Sequence, residues 1–401
     1  MVRGDLLGYL LDLKSEINGI TEEICQPELN LLNGDYDGSI SESTDAFLNN
    51  LNSCLLDLQK KCIFLSLIFL DNPQPALQDI SSSCDELKVS ATTVCAIALK
   101  CPKSCGKTLL SSWNSYLRNI AQNLSSFVSS LHKSATEHDS NSVKTSIGRL
   151  CHDVDAFSKL PKSNKKAAII AAQSGLALVE DALEELTAED FPLRSSSAAP
   201  GDASGSNDIA DLFDSLGMNT HTVDPVIEMD GDNAHSGATG GMSSLADEFV
   251  SLESILSDVE LRQLIQNSIG LVKTVKACLK KACSVLDEPT GSSNTEPTMS
   301  NERMDEIIEC CNKMSPTCDE FVLALYPPRR ARLLESEATD LAAAMRKLLQ
   351  AVTGETEGSS SSEHPTVSES INVQDKQIDI LRKAIEHNSN KLSTFLNART
   401  H

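Results

Sequence analysis

Residues 191–241 read FPLRSSSAAPGDASGSNDIADLFDSLGMNTHTVDPVIEMDGDNAHSGATGG. The stretch is dense in Ser, Gly, Pro, Asp and Asn, carries Arg194 as its lone Lys/Arg, and shows no sustained apolar period. Such a segment cannot bury enough apolar surface to offset the entropy of ordering its backbone. The composition therefore predicts a solvated, disordered acidic tether, with at most a short helical turn around Ile209–Leu216. Sequence of the opposite kind flanks it on both sides, with long runs of helical periodicity.

Upstream, Leu6, Leu10, Leu13, Ile17, Ile20 and Ile24 step by fours and threes, which keeps one apolar stripe toward a neighbour. Pro27 and Asn33-Gly34-Asp35 end that helix. A second helix opens near Ser41–Ser43, either of which suits an N-cap. Its stripe is Leu51, Leu55, Leu58, Cys62, Leu65 and Phe69. From Cys62 to Leu70 (CIFLSLIFL) it is apolar all round, so this end is expected to be the most buried part of the first block. That run is far shorter than the ~20 residues a bilayer span requires. Further stripes follow at Leu77–Ala98, Leu110–Leu131, Val143–Phe157 and Ile169–Leu186.

Beyond the tether, Ser251–Leu286 reads as a helix, and the turn DEPTGSSNTEP (287–297) follows it. The next stripe is Ile307, Cys311, Met314, Cys318, Phe321 and Leu325. Pro316 interrupts it, which predicts a kink or a restart with Ser315 as N-cap. Tyr326-Pro327-Pro328 forms a corner before a helix carrying Leu334 to Val352. A soft linker leads to a last helix with Ile378 to Phe395. No segment alternates with period two. The fold class is all-α: two antiparallel up-and-down bundles joined by a disordered acidic linker. The boundaries expected are residues 1–189 (about six helices), 190–250 (linker) and 251–401 (about four helices, with a flexible loop at 353–370).

Charge narrows the function. The net charge of −23 leaves no basic face for sequence-independent phosphate attraction, so direct nucleic-acid binding is excluded, and anionic membrane surfaces are disfavoured. Proteins are the expected partners. Thirteen cysteines fall mainly at helix-core spacing, and MVRGDLLGYLLDL has no signal-peptide pattern, so reduced thiols inside a cell are expected.

Catalytic motifs are absent in the form chemistry needs. Gly106-Lys107-Thr108 resembles the end of a phosphate loop, but Cys101 stands where the first Gly belongs and a helix precedes it; a helix N-terminus is the preferred reading. Cys101 and Cys105 lack a second ligand pair for zinc, and Cys310, Cys311 and Cys318 read as core thiols. No Gly-x-Ser-x-Gly elbow occurs. Neither enzyme activity, nor a metal, nor a cofactor is expected. The helices at Leu264–Leu286 and Met304–Leu325 can be described as helix–loop–helix, but the preceding Leu245–Glu260 is acidic, so a non-DNA-binding antagonist is the form that label would take. Packing of these helices with the last two inside one bundle is the preferred reading.

Three stretches, Asn164–Ala172 (NKKAAIIAA) leading into Leu176–Glu185, Leu271–Lys281 (LVKTVKACLKK) and Ser315–Pro328 (SPTCDEFVLALYPP), resemble the cyclin-D-binding protein family (GCIP-like proteins). The resemblance implies a helical regulator of nucleus and cytoplasm that binds D-type cyclins and helix–loop–helix factors and restrains cell-cycle progression. A vinculin-like cytoskeletal or adhesion scaffold is the competing reading. Partner contacts are expected at the acidic helix end (Glu180, Glu184, Glu185) and at the corner (Tyr326, Pro327, Pro328, Arg329, Arg330). Ser315-Pro316 offers a proline-directed phosphorylation site.

Overall fold

The computed structural model describes residues 2–25, 44–71, 77–102, 105–137, 139–188, 252, 256–288, 299–327, 329–354 and 369–400. Among them are ten α-helices: α1 Val2–Cys25, α2 Thr44–Asp71, α3 Leu77–Ala98, α4 Lys107–Glu137, α5 Ser140–Asp155, α6 Asn164–Thr187, α7 Asp258–Asp287, α8 Asn301–Leu323, α9 Ala331–Thr353 and α10 Glu369–Thr400. No strand occurs among the described residues. The central tether, the turn at 209–216 and most of the 353–370 loop lie outside them.

Two compact units form. The first comprises Met1–Ala168 with Met299–Asp305, and the second Ile169–Thr298 with Glu306–His401. The sixth helix, read above as part of the first block, thus contributes Ile169–Thr187 to the second unit.

In the first unit, five helices close into a ring in which α1 packs on α4, α4 on α5, α5 on α2, α2 on α3, and α3 on α1. Cross-contacts fix the directions. Lys61 pairs with Glu86, and Ser90 donates to Asp57 at 2.7 Å, so α2 and α3 run antiparallel. Thr21 and Ser125, reaching Ala121 and Asn18, make α1 and α4 antiparallel. Lys88–Glu16 and Cys95–Glu23 advance together, so α1 and α3 are parallel. An odd ring of alternating helices must contain one parallel pair, and this is where it falls.

The expected stripes line the core. Leu10, Leu13, Leu55, Leu58, Cys62, Leu65, Ile80, Leu87, Phe127 and Leu131 are all buried. Burying each leucine contributes roughly 1.5–3 kcal/mol. Trp113 stacks on Phe47 with ring centroids 5.5 Å apart and donates its indole N–H to the Pro161 carbonyl at 3.0 Å. The far end of α2 departs from expectation. Ile63, Phe64 and Leu67 are 38, 58 and 46% exposed. A helix in a ring offers its neighbours only part of its circumference, and these residues point away from the Leu55–Cys62–Leu65 stripe.

In the second unit α7, α9 and α10 pack mutually. The α7–α10 contact is pinned by Asn388, whose Nδ2 donates to the Gly270 carbonyl at 3.2 Å and to Thr274 Oγ1 at 2.9 Å. Helix α7 begins later than expected, because Ser257 and Glu260 form a capping box. Helix α8 runs unbroken through Pro316, with neither the restart nor the Ser315 cap the sequence suggested. Packing against neighbours holds the helix through the lost hydrogen bond: Met314, Ser315, Cys318 and Phe321 are buried around the proline.

Candidate functional site: the outward face of α6 and α8

Two segments singled out from sequence meet within the second unit. The Tyr326 hydroxyl, just past the end of α8, donates to the carboxylate of Glu185 near the end of α6. Earlier on both helices, Gly175 lies against the Cys311 carbonyl, where an added Cβ would stand 3.7 Å away. The two contacts advance together along both chains, so these parts of α6 and α8 run side by side and parallel.

Helical periodicity then sorts the neighbouring side chains. On α6, Leu178, Asp181 and Glu185 form one exposed stripe beside α8. On α8, Pro316, Asp319 and Leu323 form the matching exposed stripe beside α6. Leu178 is 51% and Leu323 67% exposed. The face therefore interleaves three apolar residues, Leu178, Pro316 and Leu323, with three carboxylates, Asp181, Glu185 and Asp319. Desolvation, and then the Glu185 charge, push the Asp319 carboxyl above the ordinary carboxylate range. The hydrogen bond to Glu185 first, then burial and the Glu185 charge, push the Tyr326 hydroxyl up to about 12.

The other candidates separate. Glu180 turns the opposite way and pairs with Lys276 of α7 at 3.0 Å. Glu184 is exposed, as are Pro327 and Arg330, while Pro328 lies outside the described residues. Arg329, expected above as a partner contact at the corner, is instead buried, with the residue only 1% exposed and its carbonyl accepting from the Leu252 N–H at 3.0 Å. Ser315 is buried at 7% exposure on the core side of α8, so a kinase cannot reach it in this fold. Leu178, Asp319 and Leu323 were not singled out from sequence, because their spacing reads as ordinary solvated helix until the α6–α8 register is known.

Gly106-Lys107-Thr108 does open a helix, within the first unit, and an internal anion sits on it. Asp305 accepts from the Lys107 and Thr108 backbone N–H groups at 2.8 and 2.9 Å and from the Thr108 hydroxyl at 2.7 Å. Asn164 donates to the same carboxylate at 3.1 Å and accepts from the Leu109 N–H at 3.0 Å. Gly106, at φ +89°, has Asn164 only 2.2 Å from where a Cβ would lie.

Twelve cysteines, from Cys54 to Cys318, are free thiols. Burial pushes Cys278 and Cys318 up to about 12, and Cys311 higher still, which leaves them inert as nucleophiles at neutral pH. A cleft of about 450 Å³ on the α2–α3 face is lined by Asp57, Lys61, Glu86 and Ser90, and these four pair among themselves. Among the described residues no His, Cys, Asp and Glu gather in threes as a metal site would require, and no helix is long and apolar enough to cross a membrane.

The family profile described as Grap2 and cyclin-D-interacting, N-terminal, matches residues 50–188, and its C-terminal counterpart matches residues 245–350. A cyclin-D1-binding protein 1 homolog of Danio rerio is 25% identical over 365 residues, covering 90% of each chain. The Xenopus laevis homolog is 23% identical, covering 76% of this chain and 78% of its own. The Homo sapiens cyclin-D1-binding protein 1 is 21% identical, covering 88% and 87%. Matched in both halves and across the greater part of its length, the chain belongs to the Grap2 and cyclin-D-interacting protein family.

Proposed function

We propose that this protein is a non-enzymatic interaction protein that binds a D-type cyclin and restrains cell-cycle progression, acting in cytoplasm and nucleus. Helix–loop–helix factors are a second partner class in this reading. Family membership, with relatives named for cyclin D1 binding, supports the partner. The observation that carries the reading on this chain is the exposed apolar and acidic face organised around Glu185 and Tyr326. A partner helix laid on such a face is a common mode of recognition, with leucines as anchors and a polar rim. In the helix–loop–helix description, α7 takes part in a bundle with α9 and α10, so a helix–loop–helix partner would bind an outer surface and leave that core intact.

Affinity purification of the tagged full chain from its native cells, followed by mass spectrometry, tests the reading. A D-type cyclin is expected among the recovered proteins, and raised levels of the chain are expected to delay entry into DNA synthesis. Recovery of actin and adhesion proteins with no cyclin would favour the scaffold reading and overturn this one.

A further inference from the structure

We propose that the outward face of the α6–α8 pair seats a cationic amphipathic helix of the partner protein, with its leucines on Leu178, Pro316 and Leu323 and a Lys or Arg between Glu185 and Asp319. This rests on the interaction reading above and adds the place and the chemistry of the partner.

The apolar part of the argument is exposure. Leu178 and Leu323 are each more than half exposed, and the shared register brings them to the same face with Pro316 beside them. Isolated exposed leucines are ordinary; two on adjoining helices with a proline between them make a strip long enough for two turns of a ligand helix.

Charge selects the occupant. Glu185 and Asp319 sit on the adjoining stripes, and the Glu185 charge adds to desolvation in raising the Asp319 carboxyl. Tyr326 satisfies one Glu185 oxygen, and Asp181 stands one turn away on the same stripe as Glu185. Lys276 of the neighbouring α7 is engaged by Glu180, on the other side of α6. A ligand cation would relieve the carboxylate repulsion, whereas an acidic ligand would add to it. The chain's net charge of −23 steers cationic partners toward it and acidic ones away.

The test uses the full chain and a fluorescent synthetic helix of about 18 residues, with leucines at alternating three and four spacing flanked by Lys and Arg. A second peptide replaces every Lys and Arg with Glu. Fluorescence anisotropy is expected to show saturable binding of the basic peptide, weakening as salt rises, and none of the acidic one. Leu178→Ser with Leu323→Ser, or Asp319→Asn with Glu185→Gln, is expected to weaken binding by about tenfold or more, the effect of losing a hot-spot contact. Val89→Ser, an equally exposed site on α3, is expected to leave it unchanged. Unchanged circular dichroism and melting temperature show that the variants remain folded. Equal binding of both peptides, no binding of the basic one, or full affinity in the leucine variant overturns the proposal.

The same variants mixed with a purified D-type cyclin separate the two claims. Cyclin binding undiminished in the leucine variant overturns this seat and leaves the interaction reading standing. Peptide binding to the seat with no cyclin binding by the natural chain overturns the cyclin reading alone.

Discussion

Asp305 and Thr108 share two hydrogen bonds, one from the Thr108 backbone N–H at 2.9 Å and one from its hydroxyl at 2.7 Å, across 197 residues of sequence. A carboxylate at the first turn of α4 satisfies otherwise orphaned donors and complements the positive end of the helix. Helix capping is usually local; here a residue from a distant helix performs it. The Gly-Lys-Thr sequence is thereby accounted for without a nucleotide.

Replacing Asp305 by Ala is expected to lower unfolding stability by about 1–3 kcal/mol, since the Lys107, Thr108 and Asn164 donors lose their acceptor. Burial raises the Asp305 carboxyl, but the donors from Thr108, Lys107 and Asn164 outweigh it and hold the group below its ordinary value. A folded value below the unfolded one stabilises the protein above the unfolded pKa, and that stabilisation fades as pH falls through the folded pKa. Urea titrations of the natural and Asp305→Ala chains are therefore expected to differ at pH 7 and to converge toward pH 3, near and below the ordinary Asp value of about 3.9. An equal gap at both pH values would contradict the ionised cap.

Asn388 of α10 and Gly270 of α7 set the register of the second unit. A Cβ at position 270 would stand 3.1 Å from the Asn388 amide oxygen, closer than most such contacts. Gly270→Ala and Asn388→Ala are each expected to cost about 1–3 kcal/mol, the first by displacing the amide and the second by leaving buried polar groups short of a partner. Thermal melts would check this, with Asn390→Ala on the same helix as a reference expected to shift little. A melting temperature raised by Gly270→Ala would contradict the packing.

Thiol reactivity provides a third check. Iodoacetamide at neutral pH is expected to modify the partly exposed Cys54 and Cys151 first, and Cys278, Cys311 and Cys318 only once the chain unfolds. Peptide mapping over a time course reads the order directly. Fast labelling of Cys311 in folded protein would contradict the core assignment.

At the outer face of α2, neighbours in sequence are expected to behave oppositely. Leu65→Ala removes a fully buried side chain and is expected to cost about 2–5 kcal/mol. Phe64→Ser, at a site 58% exposed, is expected to shift stability by about 0.5 kcal/mol or less. Urea midpoints for the two variants decide it.

How much of this was legible beforehand follows from range. The Leu51–Leu55–Leu58–Cys62–Leu65 stripe announces its helix and its buried side, because three- and four-residue spacing is written locally. Phe64 and Leu67 mislead because an all-apolar run says nothing of how many neighbours surround it; five helices in a ring leave the outside of α2 exposed. Pro316 looked like a break because its local cost is visible in sequence while the packing that offsets it is not. Glu185 and Tyr326 were each readable as candidates, but their pairing depends on a parallel α6–α8 register that no local pattern carries. Asp305 was invisible for the same reason.

The central claim is that this chain binds a D-type cyclin through the face built on Leu178, Glu185, Asp319 and Leu323. Biolayer interferometry of the purified full chain over an immobilised D-type cyclin, with the natural sequence and the Leu178→Ser, Leu323→Ser double variant side by side, addresses it most directly. The expected result is saturable binding by the natural chain, weakened about tenfold or more in the double variant and further reduced by raised salt. No saturable binding by the natural chain, or identical curves for the two proteins, would contradict it.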